Sequence, residues 1–257
     1  MNVAVFTSGQ KLKSHTDYVA AKAGDENAAF RLVKDIINKK KLEAVIKEIP
    51  QGTCIVPVFA QEASGRNKIP FALAAFIAAA GWEKELVLEV GIVQTNVVKH
   101  TGGTALDRLL ARPEFGGTVS AGKAYFVVDD VVTSGSSVNE LRKFIHAGKG
   151  RVIGGAVLAA AFNPQVGHGA QLDLLPETIQ EIMRKFDERE LNQILTENGI
   201  ANNYKELTNA QAKYLTTFGT ITAFRTGIAA RRSQGNRQQS ISKIPGTRGK
   251  GKGRRKE

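Results

Sequence analysis

The sequence has 257 residues, is 42% hydrophobic and carries a net charge of +12, which fits a folded core with basic appendages and argues against a wholly disordered chain. Its single cysteine, Cys54, excludes a disulfide within the chain and favours a reducing compartment. The longest apolar run, residues 69–82, is too short for a membrane span, and no secretion signal is visible. We therefore expect a cytoplasmic protein with no membrane partner.

The first half of the chain contains the pattern of an α/β protein. A short strand is predicted over residues 3–7, and a helix near Asp25 that continues or restarts before Pro50. Residues 53–59 are predicted to form an apolar strand, and residues 69–80 a helix rich in small residues that ends at Gly81. Together they make a βα unit. A further strand is predicted over residues 85–93.

A long connection at residues 99–117 precedes the next strand. It contains several glycines and the basic side chains Lys99, Arg108 and Arg112. Long loops in compact domains are more often functional than idle, so we expect this segment to take part in the chemistry. His100 is as readily explained as an ordinary loop residue.

Residues 124–140 carry the strongest functional pattern. An apolar strand ends in two adjacent carboxylates, Asp129 and Asp130, and a loop of small residues leads into a helix. Ser137 and Glu140 have the spacing of a capping box. Small residues let backbone N–H groups surround a phosphate at the helix N-terminus, and the carboxylates suit sugar hydroxyls or Mg²⁺. The arrangement predicts a site for a ribose 5-phosphate.

This segment resembles the phosphoribosyl-pyrophosphate (PRPP) signature of type I phosphoribosyltransferases. That signature is a hydrophobic run, an acidic pair and Thr-x-Gly-x-Ser/Thr, and residues 127–137 match it without departure. A Walker A loop is excluded because no lysine follows the last glycine of this loop. The plainer alternative is that the two aspartates merely end a strand and cap a turn.

The resemblance implies roles for particular residues. It implies that the acidic pair holds the ribose and Mg²⁺, while the loop holds the 5-phosphate: Asp129, Asp130, Thr133, Ser134, Gly135, Ser136 and Ser137. It implies pyrophosphate contacts from the loop after the first core strand: Ala63, Ser64, Gly65 and Arg66. For Arg66, a side chain that simply faces solvent is an equal alternative. Basic residues of the mobile loop would neutralise the leaving group: Lys99, Arg108 and Arg112. The wording around Arg108 and Arg112 is closest to the competence-associated branch of the family.

The C-terminal half begins with an apolar strand at residues 151–160. Helices follow, one with Ile182 and Met183 on its apolar face, one capped by Asp187 and Glu190, and one by Thr208 and Gln211. Their apolar faces need partners, which could be the α/β core, a hood over the active site or a second subunit in a homodimer. Residues 233–257 are basic and lack aromatic side chains, so we expect disorder there. Weak nucleic-acid binding and a merely solubilising tail both stay open for this segment.

The predicted fold is an open, mostly parallel α/β sheet of the type I phosphoribosyltransferase kind, with a helical C-terminal extension and a disordered basic tail. The predicted units are 1–50, 51–170, 171–232 and 233–257. The predicted activity is transfer of the phosphoribosyl group from PRPP to a nucleobase-like acceptor, with release of pyrophosphate and with Mg²⁺ as cofactor. The alternatives are a non-catalytic sensor of PRPP or a nucleotide, and a nucleic-acid-associated protein of DNA uptake or mobile elements.

Overall fold

The longer strands and helices follow the order that the sequence predicts, with additional short elements between them. The computed structural model describes residues 1–59, 61–62, 65–96, 104–110, 112–160 and 170–242. Its strands are β1 (Asn2–Ser8), β2 (Cys54–Pro57), β3 (Gln61–Glu62), β4 (Gly65–Arg66), β5 (Val87–Leu88), β6 (Val93–Gln94), β7 (Phe115–Gly116), β8 (Ala124–Val132), β9 (Arg151–Ala160) and β10 (Ala170–Gln171). Its helices are α1 (Gly9–Lys13), α2 (Tyr18–Ala23), α3 (Glu26–Ile36), α4 (Lys39–Glu48), α5 (Ile69–Ala80), α6 (Ala105–Leu110), α7 (Ser136–Ala147), α8 (Pro176–Lys185), α9 (Glu188–Glu197), α10 (Asn209–Thr216) and α11 (Ile221–Ser242).

The main sheet has six strands in the order β10-β1-β9-β8-β2-β5. Every neighbouring pair is parallel except β1 and β10. β8 lies between β9 and β2 and is buried along most of its length, as its unbroken apolar run predicts. This topology confirms the predicted α/β class with an open, mostly parallel sheet.

Helices cover both faces of the sheet. On one face, α5 packs with α2 and α3 against Ile55, Phe126 and Val128. On the other face, α7 packs its apolar stripe against Val56 and Val127, and its buried residues are the predicted Val138, Leu141 and Ile145. The helices that follow the adjacent strands β2 and β8 therefore lie on opposite faces. This is the arrangement that opens a crevice at the carboxyl ends of two parallel strands.

The N-terminal segment contains four helices where the sequence predicts one or two. Asp25 caps α3, accepting from Ala28 N at 2.9 Å, and Asn38 caps a separate α4, so the predicted helix restarts. The two helices before it, α1 and α2, are five and six residues long. Their shortness explains why no periodic pattern reveals them.

Two sequence predictions in this half need correction. The strand predicted over 85–93 is reduced to β5, while β6 leaves the main sheet and pairs antiparallel with β7. The capping box of Ser137 and Glu140 is absent, because α7 begins two residues earlier than that box requires and its N-cap is Gly135, with no side-chain cap. The β8 strand also extends through the two aspartates to Val132.

The C-terminal helices form a core of their own. Side chains from α8, α9, α10 and α11 pack together with Leu106 and Leu109 of α6. Asp187 and Thr208 cap α9 and α10 as predicted, and Thr208 forms a complete capping box with Gln211. Met183, predicted on the apolar face of α8, is instead 58% exposed.

The last helix, α11, continues through residues 233–242, into the segment for which the sequence predicts disorder. The rest of that segment lies outside the described residues. None of the helices in the described ranges has both the length and the apolar character needed to cross a bilayer.

Candidate functional site

The predicted site lies at the carboxyl edge of the sheet, where β8 ends between β2 and β9. A three-residue turn, 133–135, joins β8 to α7, so the acidic pair and the helix N-terminus are adjacent. We use "acidic pair" for Asp129 and Asp130, and "133–137 loop" for the five residues that begin with this turn. The carboxyl ends of β2 and β8, whose following helices lie on opposite faces of the sheet, are where open α/β sheets bind their ligands.

The 133–137 loop is shaped by Gly135, which has φ +75°. A Cβ at this position would lie 2.6 Å from Leu172 Cδ2, so both the backbone angle and the packing require glycine. The first helical hydrogen bond of α7 runs from Asn139 N to Gly135 O at 2.9 Å. The amides of residues 136–138 precede that bond and point out of the helix N-terminus, the geometry that favours an anion.

The side chain of Ser136 adds a second feature of a binding site. Ser136 is 5% exposed, and its buried hydroxyl has no hydrogen-bond partner within the described residues. Leaving a buried polar atom unsatisfied is costly, and a bound oxyanion would satisfy it. Thr133 is exposed, and Ser134 and Ser137 are half-buried.

Both carboxylates of the acidic pair are nearly buried, with exposures of 9% for Asp129 and 5% for Asp130. Asp130 Oδ2 accepts from Lys22 Nζ at 3.1 Å and from Asn67 Nδ2 at 3.0 Å, while its Oδ1 accepts from Val131 N at 2.7 Å. Asp129 Oδ1 accepts from Asp130 N at 2.8 Å. The carboxyl groups of Asp129 and Asp130 also interact with each other. Among the described residues, Asp129 accepts from no lysine, arginine or amide side chain, so it is the more available carboxyl of the pair.

Electrostatics separate the two aspartates further. Burial raises the pKa of Asp129 well above its usual value, and the neighbouring charge of Asp130 raises it further. A carboxyl group that keeps its proton can both donate to and accept from a sugar hydroxyl. Asp130 is balanced by the ammonium of Lys22, whereas Asp129 has no ion-pair partner among the residues described.

Sequence reasoning missed Lys22 and Asn67. Asn67 follows the predicted 63–66 loop directly, is 2% exposed, and its Oδ1 accepts from Ile69 N at 3.1 Å. Lys22 comes from α2, which lies outside the region that resembles the family. An Asn at the start of the helix after β2 was a usable signal, because polar residues at strand ends commonly face the ligand; nothing in the sequence marks Lys22.

The other predicted pyrophosphate residues are only partly described. Ala63 and Ser64 lie outside the described residues, as does Lys99. Gly65 lies in β4, which pairs antiparallel with β3, and the side chain of Arg66 is exposed. Thus, of this loop, the structure brings Asn67 rather than Arg66 to the acidic pair.

The 99–117 segment differs most from its prediction. Its described part contains α6 and β7, and α6 buries Leu106 and Leu109 in the core of the C-terminal helices. Asp107 forms a two-pronged ion pair with Arg231 of α11, whose Nη2 lies 2.8 Å from Asp107 Oδ2. This lowers the pKa of Asp107. Residues 104–110 are therefore a helix packed on the helical extension.

The two arginines predicted in this segment have different surroundings. Arg112 forms an ion pair with Glu140 of α7, and its Nη1 donates to Gly199 O at 3.0 Å. It lines a cavity of about 610 Å³ between α7 and the helical extension, together with Lys143 and Glu206. Arg108 lies on α6, near enough to Tyr214 to influence its pKa. No contact in the described chain joins either arginine to the acidic pair.

The acidic pair does not fit direct coordination of Mg²⁺ in this arrangement. Asp130 Oδ2 already faces an ammonium and an amide donor, and Asp129 favours its protonated form. Across the described ranges, no group of three or more His, Cys, Asp or Glu side chains is arranged to hold a metal. Magnesium thus stays a prediction that this geometry does not support.

The chain is similar in sequence to two bacterial proteins and in structure to several solved proteins. No family model matches the chain. "Protein TraN" of Escherichia coli is 32% identical over 228 residues, which is 87% of this chain and 48% of TraN. An uncharacterized protein of Haemophilus influenzae is 32% identical over 135 residues, which is 51% of this chain and 29% of that protein. The chain thus spans about half the length of TraN and less than a third of the length of the Haemophilus influenzae protein.

Solved structures similar to this chain are phosphoribosyltransferases. An adenine phosphoribosyltransferase is 16% identical and covers 51% of this chain and 69% of its own, with a TM-score of 0.34. A purine phosphoribosyltransferase from Pyrococcus horikoshii Ot3 is 10% identical and covers 62% of this chain and 87% of its own, with a TM-score of 0.31. The fold assignment above rests on the sheet topology and not on these likenesses.

Proposed function

We propose that this chain is a type I phosphoribosyltransferase-like protein that binds the ribose 5-phosphate part of PRPP between β2 and β8. The observation that carries the proposal is the junction of β8 and α7. There, Gly135 shapes the three-residue turn between the end of β8, which carries Asp129, and the amides that begin α7. The buried hydroxyl of Ser136, at the start of α7, has no hydrogen-bond partner among the described residues. The signature of residues 127–137 supports the same ligand.

In the proposed complex, the 133–137 loop donates hydrogen bonds to the 5-phosphate, and Asp129 bonds a ribose hydroxyl. Asp130 stays bound to Lys22 and Asn67 and holds the strand end in place. In phosphoribosyl transfer, the bond from ribose C1 to pyrophosphate breaks and a bond from C1 to a nitrogen of the acceptor base forms. Positive charge develops at C1 as pyrophosphate leaves, so basic groups near pyrophosphate lower the barrier.

A calorimetric titration tests the binding step. Ribose 5-phosphate and PRPP should both bind the wild type, and Ser136→Ala should weaken both, because it removes the hydroxyl donor. Ser120→Ala is the control, since Ser120 is exposed and precedes β8, at the opposite end of the strand from the loop. Absence of binding by the wild type, or equal binding by Ser136→Ala, would contradict the proposal.

The non-catalytic alternative is favoured by one observation. Arg112 is held by Glu140 and Gly199, and α6 buries Leu106 and Leu109 in the helical extension, so these described parts of the segment contact α7 and the extension rather than the acidic pair. A protein that only senses PRPP would need the 133–137 loop but no group at the leaving pyrophosphate. PRPP binding without pyrophosphate release for any of a panel of bases would favour this alternative.

If transfer occurs, the two arginines should contribute to its rate. Replacing Arg108 and Arg112 with alanine should then lower kcat on the order of a hundredfold, about 3 kcal/mol, by removing charge that stabilises the leaving group. Steady-state pyrophosphate release measures the effect, and Arg189→Ala, on α9, controls for loss of a distant positive charge. Unchanged kcat in the double variant would remove both residues from the mechanism.

A further inference from the structure

The cation at the acidic pair belongs to the protein itself. Lys22 Nζ lies 3.1 Å from Asp130 Oδ2, and the side chains are 24% and 7% exposed. Asn67 Nδ2 approaches the same oxygen at 3.0 Å. A partly buried pair of this kind is screened weakly by solvent and strengthened by the second hydrogen bond.

Lys22 lies where three segments meet at the carboxyl edge of the sheet. They are the end of α2, the residues just before α5 and the end of β8. Lys68 N donates to Ala21 O at 3.1 Å, which ties the end of α2 to the residues before α5. Gly24 ends α2 in the left-handed region, with φ +112°. Asn67 has its amide orientation set by the bond from Ile69 N, so its Nδ2 must face Asp130.

This arrangement places donors where a metal would need acceptors. A divalent cation bound to Asp130 Oδ2 would lie within a few ångströms of the Lys22 ammonium, and the two positive charges would repel each other. The remaining oxygen, Asp129 Oδ2, belongs to a carboxyl whose burial disfavours ionisation. The acidic pair therefore has its charge balanced without metal.

We propose that Lys22 replaces the divalent cation at the acidic pair, so that a ribose 5-phosphate ligand binds at this edge without a metal. The proposal rests on the proposed function for the identity of the ligand, and it adds the regulation of that site by an internal cation. Neutralising Lys22 should remove the positive charge next to Asp130 Oδ2, so that a divalent metal can bind the acidic pair more tightly.

The first experiment needs no organic ligand. Mn²⁺ is titrated into the full chain and free Mn²⁺ is followed by electron paramagnetic resonance. Lys22→Met should bind Mn²⁺ about tenfold more tightly than the wild type, the worth of one charge-assisted hydrogen bond. The wild type should bind no more tightly than Asp130→Asn, and Lys22→Met/Asp130→Asn should lose the gain.

Lys68→Met is the matched control for this titration. Lys68 belongs to the same edge and has a side-chain exposure of 27%, but its ammonium pairs with Glu26 at 2.9 Å. It should leave Mn²⁺ binding at the wild-type level. If Lys22→Met fails to fold, Lys22→Gln keeps a hydrogen-bond donor and serves instead. A wild-type Mn²⁺ site that disappears in Asp130→Asn would overturn the proposal.

The second experiment is a calorimetric titration of ribose 5-phosphate, in EDTA and in excess Mg²⁺. The wild-type affinity should be the same in both, and the Lys22→Met affinity should be about tenfold higher with Mg²⁺ than with EDTA. If the wild type binds ribose 5-phosphate in Mg²⁺ but not in EDTA, the inference about Lys22 is wrong and the proposed function still holds. No binding under any condition would contradict the proposed function, and the Mn²⁺ titration would then decide the role of Lys22.

Discussion

The two segments with predicted chemistry are built on different cores. The acidic pair and the 133–137 loop lie at the end of a central strand, and their geometry is set by the parallel sheet and α7. Residues 104–110 form α6 and are set by the helical extension, through Leu106, Leu109 and the pair of Asp107 with Arg231. A functional motif on a strand end is therefore held where the sequence predicts it, whereas a connection takes its position from whatever it packs against.

The sharpest test of the first region compares the two aspartates. Asp130→Asn should lower the free energy of unfolding by about 3 kcal/mol, because it removes a buried carboxylate that the Lys22 ammonium contacts at 3.1 Å. Asp129→Asn should change stability by less than about 1 kcal/mol near neutral pH, because it removes a disfavoured buried charge. Urea unfolding measures both. Equal losses would mean that the aspartates do not divide their roles.

A core substitution in α6 tests the second region. Leu109 is 2% exposed, so Leu109→Ala should cost about 3 kcal/mol by leaving a cavity in the helical core. Thermal and urea unfolding report this loss, and Val90→Ala, at a position that is 48% exposed, should cost less than about 0.5 kcal/mol. A loss at Leu109 as small as the control's would show that α6 is a mobile loop rather than part of that core.

Alanine substitutions at two glycines with positive φ, Gly135 and Gly199, distinguish the cost of backbone strain from the loss of ligand contact. Gly135→Ala should cost about 2 kcal/mol, from its φ of +75° and the close approach of Leu172. It should also weaken ribose 5-phosphate binding. Gly199→Ala has a similar φ of +65° and open space around its Cβ, so about 1 kcal/mol is expected, with binding unchanged. Calorimetry with both variants measures the difference. Weaker binding in Gly199→Ala would place the ligand elsewhere.

The smallest effect concerns the pH dependence contributed by Asp129. Its raised pKa means that the folded protein holds this proton more tightly than the unfolded chain. The contribution of Asp129 to stability is therefore greatest in acid and declines as pH rises from about 3.8 toward the folded-state pKa. Asp129→Asn cannot lose a proton, so its stability relative to the wild type should rise through this window and then level off. Urea unfolding at a series of pH values measures the difference, and a constant difference would contradict the raised pKa.

Several expectations stay predictions. They are the cytoplasmic location, a homodimer, weak nucleic-acid binding through residues 233–257, and the division into four units. The helix α11 reaches into that basic segment as far as Ser242, and its Arg231 is engaged with Asp107. Deleting residues 243–257 and measuring DNA affinity against salt concentration addresses the nucleic-acid alternative.

The sequence by itself determined the features that depend on neighbours along the chain. The apolar run of β8 requires a buried strand, the stripe of Val138, Leu141 and Ile145 requires a helix on the sheet, and the small residues between them require a tight turn. Tertiary structure alone decided which side chains meet across long separations. Lys22 reaches Asp130 and Arg231 reaches Asp107 because packing of the helices brings those segments together. Such pairs leave no periodic or spacing signal in the chain, since their energy depends on distance in space and burial rather than on sequence position.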